Sequence, residues 1–150
     1  KPEYLYIKGD ELGTHKDNEK TVKVIAGKYE KAEGPEKNHN VEPIYFHVVL
    51  NEKKEFSCDV PETHNSFIYL LKGELKIGNE NHSKTFDSNL ILLERGSKLF
   101  VKAQKKSEFL FIAGKPIGEP IARGGPFVMN TKAEILEAIK DYNNGTFAKY

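Results

Sequence analysis

The residues of this 150-residue chain with the most chemistry in them are five histidines, one cysteine and scattered carboxylates. The histidines are His15, His39, His47, His64 and His82. A first-row metal ion needs several N or O donors converging on one point. His64 follows Glu62 by two residues, just before one strand-like run, and His47 lies inside another, so Glu62, His64 and His47 form the set that could assemble into a metal centre. Against this, His47 holds an odd position in a run whose even positions are strong hydrophobes, where a hydrogen-bonded or solvent-facing imidazole is the commoner outcome. His39, within Asn38-His39-Asn40, and His82, at a hairpin tip, are expected in solvent. Cys58 alternates with Phe56 and Val60, the pattern of a small buried apolar residue rather than of a reactive thiolate. No histidine base stands at a recognisable spacing from an acid, as acid–base catalysis on a related sugar epimerase barrel would need. Tyr45, Phe67, Tyr69 and Phe111 could line a barrel mouth and accept a flat aromatic ligand; the alternative is that they are core. Gly124-Gly125-Pro126 lacks the lysine and the strand-to-helix setting of a phosphate loop, and is expected to turn the chain toward the helix that follows.

The elements that must position these residues are mostly strands. Between Thr21 and Ala113 the sequence reads as Val22–Ala26, Ile44–Leu50, Phe56–Val60, Ser66–Lys72, Glu74–Ile77, Leu90–Glu94, Lys98–Ala103 and Ser107–Ala113, nearly all separated by turn residues. Ile44, Phe46, Val48 and Leu50 share one face of their run, which marks a core strand, and Ser107–Ala113 is similarly dense in Phe and Leu. Gly73 is expected to make a tight bend and Asn79-Glu80-Asn81 a hairpin end, while Arg95-Gly96 punctuates the next pair. Many short strands at close spacing mean a sandwich or barrel. Gly27 to Pro43 reads as a long irregular polar segment, either a functional flap or mobile. Near the end, Thr131-Lys132-Ala133-Glu134 is a capping box followed by Ile135, Leu136, Ile139 and Tyr142 at helical spacing, with Asn144-Gly145 as the stop. That apolar stripe needs a surface to cover, on this barrel or on a neighbouring domain.

Composition narrows the function classes. Lys and Arg number 23 against 22 Asp and Glu, so the net charge of +1 provides no field to gather nucleic acid or an anionic membrane. Lys53-Lys54 and Lys105-Lys106 are short tracts, expected to solvate hairpin tips. A single cysteine rules out an internal disulfide framework and fits a reducing compartment, cytoplasmic and by extension nuclear. No apolar run has membrane-spanning length and no signal peptide precedes the first strand, which makes a soluble chain the expectation. A start at Lys1 rather than Met suggests that a longer protein was cut or that a leader was removed.

Two segments carry a family resemblance. Phe67-Ile68-Tyr69-Leu70-Leu71-Lys72-Gly73-Glu74 is similar to the first conserved motif of cupins, and Leu92-Leu93-Glu94-Arg95-Gly96-Ser97 stands where the second would fall. The tail sharpens this: Ala113-Gly114-Lys115-Pro116-Ile117-Gly118-Glu119-Pro120, then Gly125-Pro126-Phe127-Val128-Met129-Asn130-Thr131, leading into a helix that ends Asp141-Tyr142-Asn143-Asn144-Gly145-Thr146-Phe147, resembles the C-terminus of pirins. Thr21-Val22-Lys23-Val24-Ile25-Ala26-Gly27, Gly34-Pro35 and Ser66-Phe67-Ile68-Tyr69 also match that family. The likeness covers essentially the whole chain, but only the second of the two tandem barrels of a pirin.

The resemblance implies an all-β fold, a cupin-type β-barrel or jelly roll with one C-terminal α-helix. It implies one domain over 1–150, with the barrel at about 21–113 and a tail and helix at about 114–147. A cupin metal site uses two histidines one residue apart, a carboxylate shortly after and a third histidine on the second-motif strand. Counted back from Gly73, these positions fall near Val60, Glu62 and Ser66, and the third near Leu99. Only Glu62 could ligate, and one carboxylate cannot replace a three-histidine, one-glutamate site. The resemblance therefore implies no catalytic residue, metal or cofactor in this chain, with iron held by the N-terminal barrel of the parent. It implies that barrel as partner, further protein partners, no direct nucleic acid and no membrane. The parent would be a transcription co-regulator or an iron-dependent quercetin dioxygenase, with this domain structural. The alternative is an independent small barrel enzyme or ligand-binding domain with a non-standard site around Glu62 and His64.

Overall fold

The computed structural model describes residues 6–35, 40–78, 83–87 and 89–147. They form two compact units, Lys1–Pro116 and Ile117–Tyr150. The first unit is all β. Its strands are β1 (Gly13–Lys16), β2 (Lys20–Ala26), β3 (Lys28–Tyr29), β4 (Ala32–Glu33), β5 (Ile44–Leu50), β6 (Glu55–Asp59), β7 (Asn65–Ile77), β8 (Lys84–Phe86), β9 (Leu90–Leu92) and β10 (Lys98–Gly114). Eight of them join one antiparallel sheet in the order β1-β2-β5-β10-β7-β8, with β6 on β10 and β9 on β7. The all-β, cupin-type reading of the sequence is correct.

Alternation places the core. Val22, Val24 and Ala26 on β2, Phe46, Val48 and Leu50 on β5, and Phe109, Phe111 and Ala113 on β10 are all buried, while their neighbours face outward. The pairings hold these inward residues opposite one another, as in Val22↔Val48 and Phe111↔Phe46. Tyr29, Phe46, Phe56, Phe109 and Phe111 form a continuous aromatic cluster, with Tyr29 stacked on Phe56 at 5.3 Å between centroids and Phe109 edge-on to Phe56 at 5.7 Å. Aromatic pairs of this kind add about 0.5–1.5 kcal/mol each beyond the area they bury.

Two expected breaks are absent. Ser66–Lys72 and Glu74–Ile77 are one strand, β7, and Lys98–Ala103 and Ser107–Ala113 are one strand, β10. Gly73 does not reverse the chain; at φ 100° it makes a bulge in β7, facing an irregularity in β10 between Ala103 and Phe109. The bulge resets parity, so that Ile68 and Leu70 point inward before it and Leu75 after it. Any Cβ at Gly73 would strike the Ser107 hydroxyl and lie 2.6 Å from its Cα. Ser107 is itself buried, its hydroxyl accepting from the Glu74 N–H at 3.1 Å and donating to the Lys105 carbonyl at 2.7 Å. Lys105 thus belongs to a strand bulge, pairing with Glu74 at 3.0 Å, and not to a hairpin tip.

Gly27 to Pro43 is also not an irregular segment throughout. It contains the short β3–β4 hairpin, which delivers Tyr29 and Ala32 into the core; Glu36–His39 lie outside the described residues. The hairpin end expected at Asn79-Glu80-Asn81 and the position of His82 lie outside them too.

The second unit is a hairpin and a helix: β11 (Ala122–Gly124), β12 (Phe127–Met129) and α1 (Lys132–Asn143). Gly125-Pro126 is the tip of that hairpin, with Gly125 at φ 55°. The helix starts as expected, since the Thr131 hydroxyl accepts from the Glu134 N–H at 3.2 Å and the Thr131 N–H donates to the Glu134 carboxylate at 2.7 Å. The Thr131 hydroxyl, which also donates to the Glu134 carboxylate at 2.8 Å, and then the Thr131 N–H hold that carboxyl below the usual glutamate range. It stops at Asn144, with Gly145 at φ 72°. Ile135 packs so closely over Gly124 that a Cβ there would collide with its Cγ2. Among the described residues, no helix is long and apolar enough to cross a membrane.

Candidate functional site

The structure does not bring Glu62, His64 and His47 together. His64 is 2 % exposed; its Nε2 donates to the Glu42 carbonyl at 2.9 Å, and its Nδ1 lies 3.3 Å from the Thr63 hydroxyl. Nε2 therefore joins two loops, and Nδ1 is engaged by the neighbouring residue. Glu62, one turn residue away, is exposed. His47 lies on the outward side of β5, where Nε2 donates to Glu108 at 2.8 Å. Among the described residues, no three His, Cys, Asp or Glu side chains stand close enough to hold a metal ion. The His64 imidazole is bonded to a backbone carbonyl and the Glu62 carboxylate is exposed to solvent.

The residues at the cupin ligand positions do not fit iron. Val60 is 7 % exposed and Leu99 is 6 % exposed, and both belong to the hydrophobic core. Leu99 pairs across the ladder with Cys58. Aliphatic carbons there offer no lone pair, and Glu62 points away. Cys58 packs partly buried against this core, and burial pushes its thiol up to about 12, so it is a neutral thiol at physiological pH. Tyr29 is pushed up to about 12 in the same way. No fully buried side-chain polar atom of the described residues lacks a hydrogen-bond partner.

The aromatic set expected at a barrel mouth is split by the pleat. Phe111 is core, whereas Tyr45, Phe67 and Tyr69 lie on the outer side of the sheet. They join an apolar surface built by register. Leu92, Phe67, Ile112 and Tyr45 form one cross-strand row over β9, β7, β10 and β5; Leu90, Tyr69 and Leu110 form the next, which ends in His47. Leu71, Leu90 and Leu92 are exposed large hydrophobes on this face. At its rim, Glu108 receives both His47 and Lys72, the latter at 2.7 Å. These two bonds, Lys72 first, hold the Glu108 carboxyl below the usual range. Two histidine–acid pairs are present among the described residues: His15 with Asp17 at 3.1 Å, two residues apart in sequence, and this one, in which Glu108 faces Val49, diagonal to His47, a neighbour that only the strand register defines.

Residues 45–148 match the pirin C-terminal cupin domain. The chain belongs to the pirin family. It is 34 % identical to pirin from Rattus norvegicus over 147 residues, covering 95 % of this chain and 50 % of that protein. It is 38 % identical over 104 residues to a pirin-like protein from Solanum lycopersicum, covering 68 % of this chain and 36 % of that one. Among solved structures, quercetin 2,3-dioxygenase from Acinetobacter baumannii superposes with a TM-score of 0.84 at 30 % identity, over 98 % of this chain and 51 % of that one. The chain spans about half the length of the pirins it matches. The segment matched in the pirin domain begins within β5, so β1 to β4 lie outside it.

Proposed function

We propose that this chain is the metal-free barrel of a two-barrel pirin protein, with a structural and protein-docking role beside an iron-binding N-terminal barrel. The observation that supports it most is the burial of Val60 and Leu99 in the core where a cupin would present histidines. Five aromatic rings in mutual contact occupy the core of this barrel, which supports a packed rather than a ligand-holding interior. The outward rows from Leu92 to Tyr45 and from Leu90 to Leu110 supply the apolar face that a neighbouring barrel would cover. In the second unit, Ile135 is buried but Leu136 is 69 % and Ile139 is 37 % exposed, which supports docking of the helix on a partner.

The parent protein on this reading is either a transcription co-regulator or a quercetin dioxygenase, acting in the cytoplasm or the nucleus. In the dioxygenase case the iron and its open positions come from the other barrel, and this one walls the site at most. Elemental analysis of the chain and of its full-length parent, each purified without chelator, tests the proposal. Iron in the parent and none in the chain is the expected result; stoichiometric iron in the chain would overturn it. Hydrophobic-dye binding by the isolated chain, lost when the other barrel is co-expressed, checks the docking role.

A further inference from the structure

A second feature lies on the outer side of the β6–β10–β7 ladder, where its floor reaches the core residues Phe56 and Val101. A cleft of about 520 Å³ is lined there by Lys20, Ser57, Lys76, Phe100 and Lys102, with Glu19 and Glu55 at its side. That volume lies within the range of small-molecule sites. The strand pattern of β10 turns Leu99 and Val101 inward and Lys98, Phe100 and Lys102 outward, which leaves an aromatic ring on a polar surface, 46 % exposed. Ser57 faces Phe100 across the ladder.

The charges of the cleft are not balanced locally. Lys76 and Lys102 stand directly opposite each other in the β7–β10 register, an arrangement that costs stability between like charges. Lys102 is relieved by Glu55 at 2.9 Å from the other flank. Lys20 reaches over to the Glu55 carbonyl at 3.1 Å. Glu19 is drawn away to Lys54 at 2.9 Å. Lys76 has no hydrogen-bond or ion-pair partner, and neither does the Ser57 hydroxyl, among the described residues. An ammonium without a partner beside one paired with Glu55, a free hydroxyl, and a half-exposed ring with the Lys98 Nζ 5.5 Å from its centroid form a complementary set for one kind of molecule.

We propose that this cleft binds a small planar aromatic carboxylate, its ring against Phe100 and its carboxylate between Lys76 and Lys102, with Ser57 as a further donor. The carboxylate would give Lys76 the counter-charge it lacks, and the ring would cover apolar surface that is now wet. The specificity this implies is for an anion and an aromatic surface in the same molecule, since neither part alone meets both features.

Titration of the 15N-labelled chain with 2-naphthoate, acetate and inorganic phosphate, followed by amide shifts, tests it. Naphthoate is expected to move the amides of Ser57, Lys76, Phe100 and Lys102 in a saturable way, with acetate and phosphate at least tenfold weaker. Lys76→Gln and Phe100→Ala are both at outward positions and are each expected to weaken naphthoate about tenfold, the usual cost of one charge-assisted or one stacked contact. Amide spectra of the free variants establish that each remains folded. Absence of saturable shifts at millimolar naphthoate would overturn the proposal, as would unchanged affinity in Lys76→Gln. Equal binding of phosphate would overturn the aromatic part and reduce the cleft to a general anion patch.

Discussion

Truncation of Leu99 is the perturbation that bears most directly on how this barrel differs from a metal-binding cupin. Leu99 is 6 % exposed and packs in the core on β10, at the position where the family resemblance places a histidine ligand. Leu99→Ala removes the equivalent of about three methylene groups from a nearly dry site, a transfer loss of about 2.4 kcal/mol at about 0.8 kcal/mol each. Incomplete collapse around the vacated space adds to this, which brings the expected destabilisation to about 3 kcal/mol. In a domain of this size that corresponds to a fall in melting temperature of about 6–12 °C. The chain has no tryptophan, so urea unfolding is best followed by far-UV circular dichroism, with the denaturant slope checked for constancy. Phe100→Ala, at the next residue but on the outward side, is the internal control and is expected to change stability by no more than about 0.5 kcal/mol. If Leu99 instead lined an open site, its truncation would be nearly neutral. A loss below about 1 kcal/mol, or a Phe100 variant as damaged as the Leu99 variant, would refute the assignment of this position to the core.

Other consequences follow from single features of the structure. Gly73→Ala places a side chain at φ 100° and against the Ser107 backbone, and is expected to cost about 2–4 kcal/mol, measured by the same unfolding assay. Asp17 is pulled from 3.8 down to about 2, first by His15 and then by the N–H groups of Glu19 and Lys20. Its contribution is complete above about pH 4 and lost as pH falls toward about 2, so Asp17→Asn should flatten the stability profile in that window by less than about 1 kcal/mol, given its exposure. Thr131→Ala removes the cap acceptor of α1 and is expected to speed hydrogen exchange in its first turn, with about 1 kcal/mol lost. Cys58, with its thiol pushed up to about 12, is expected to react with a disulfide reagent far more slowly in the folded chain than in urea.

Much of the fold was legible because the barrel's strands alternate. Ile44–Leu50 was expected strand for strand, since four hydrophobes on one face leave a single inward parity. The helix was legible for a similar reason, its cap and stop being local chemistry at Thr131, Glu134 and Gly145. Short elements with no such pattern were not: β1, with the sequence Gly13-Thr14-His15-Lys16, has no apolar alternation and exists because β2 pairs with it. The β3–β4 hairpin is defined by where Tyr29 lands, between Phe46 and Phe56, both distant in the chain.

By itself, then, the sequence determined an all-β chain with one capped helix and the pirin resemblance, because these depend on residue identity and on periods of two and 3.6. Only the tertiary structure decided which polar residues meet. His64 was claimed by the Glu42 carbonyl, His47 by Glu108, and Lys76 was set against Lys102, each through strand pairing or loop contact between residues more than twenty apart. It likewise decided that Gly73 is a bulge rather than a bend, since a glycine permits positive φ in either setting and the facing strand selects between them.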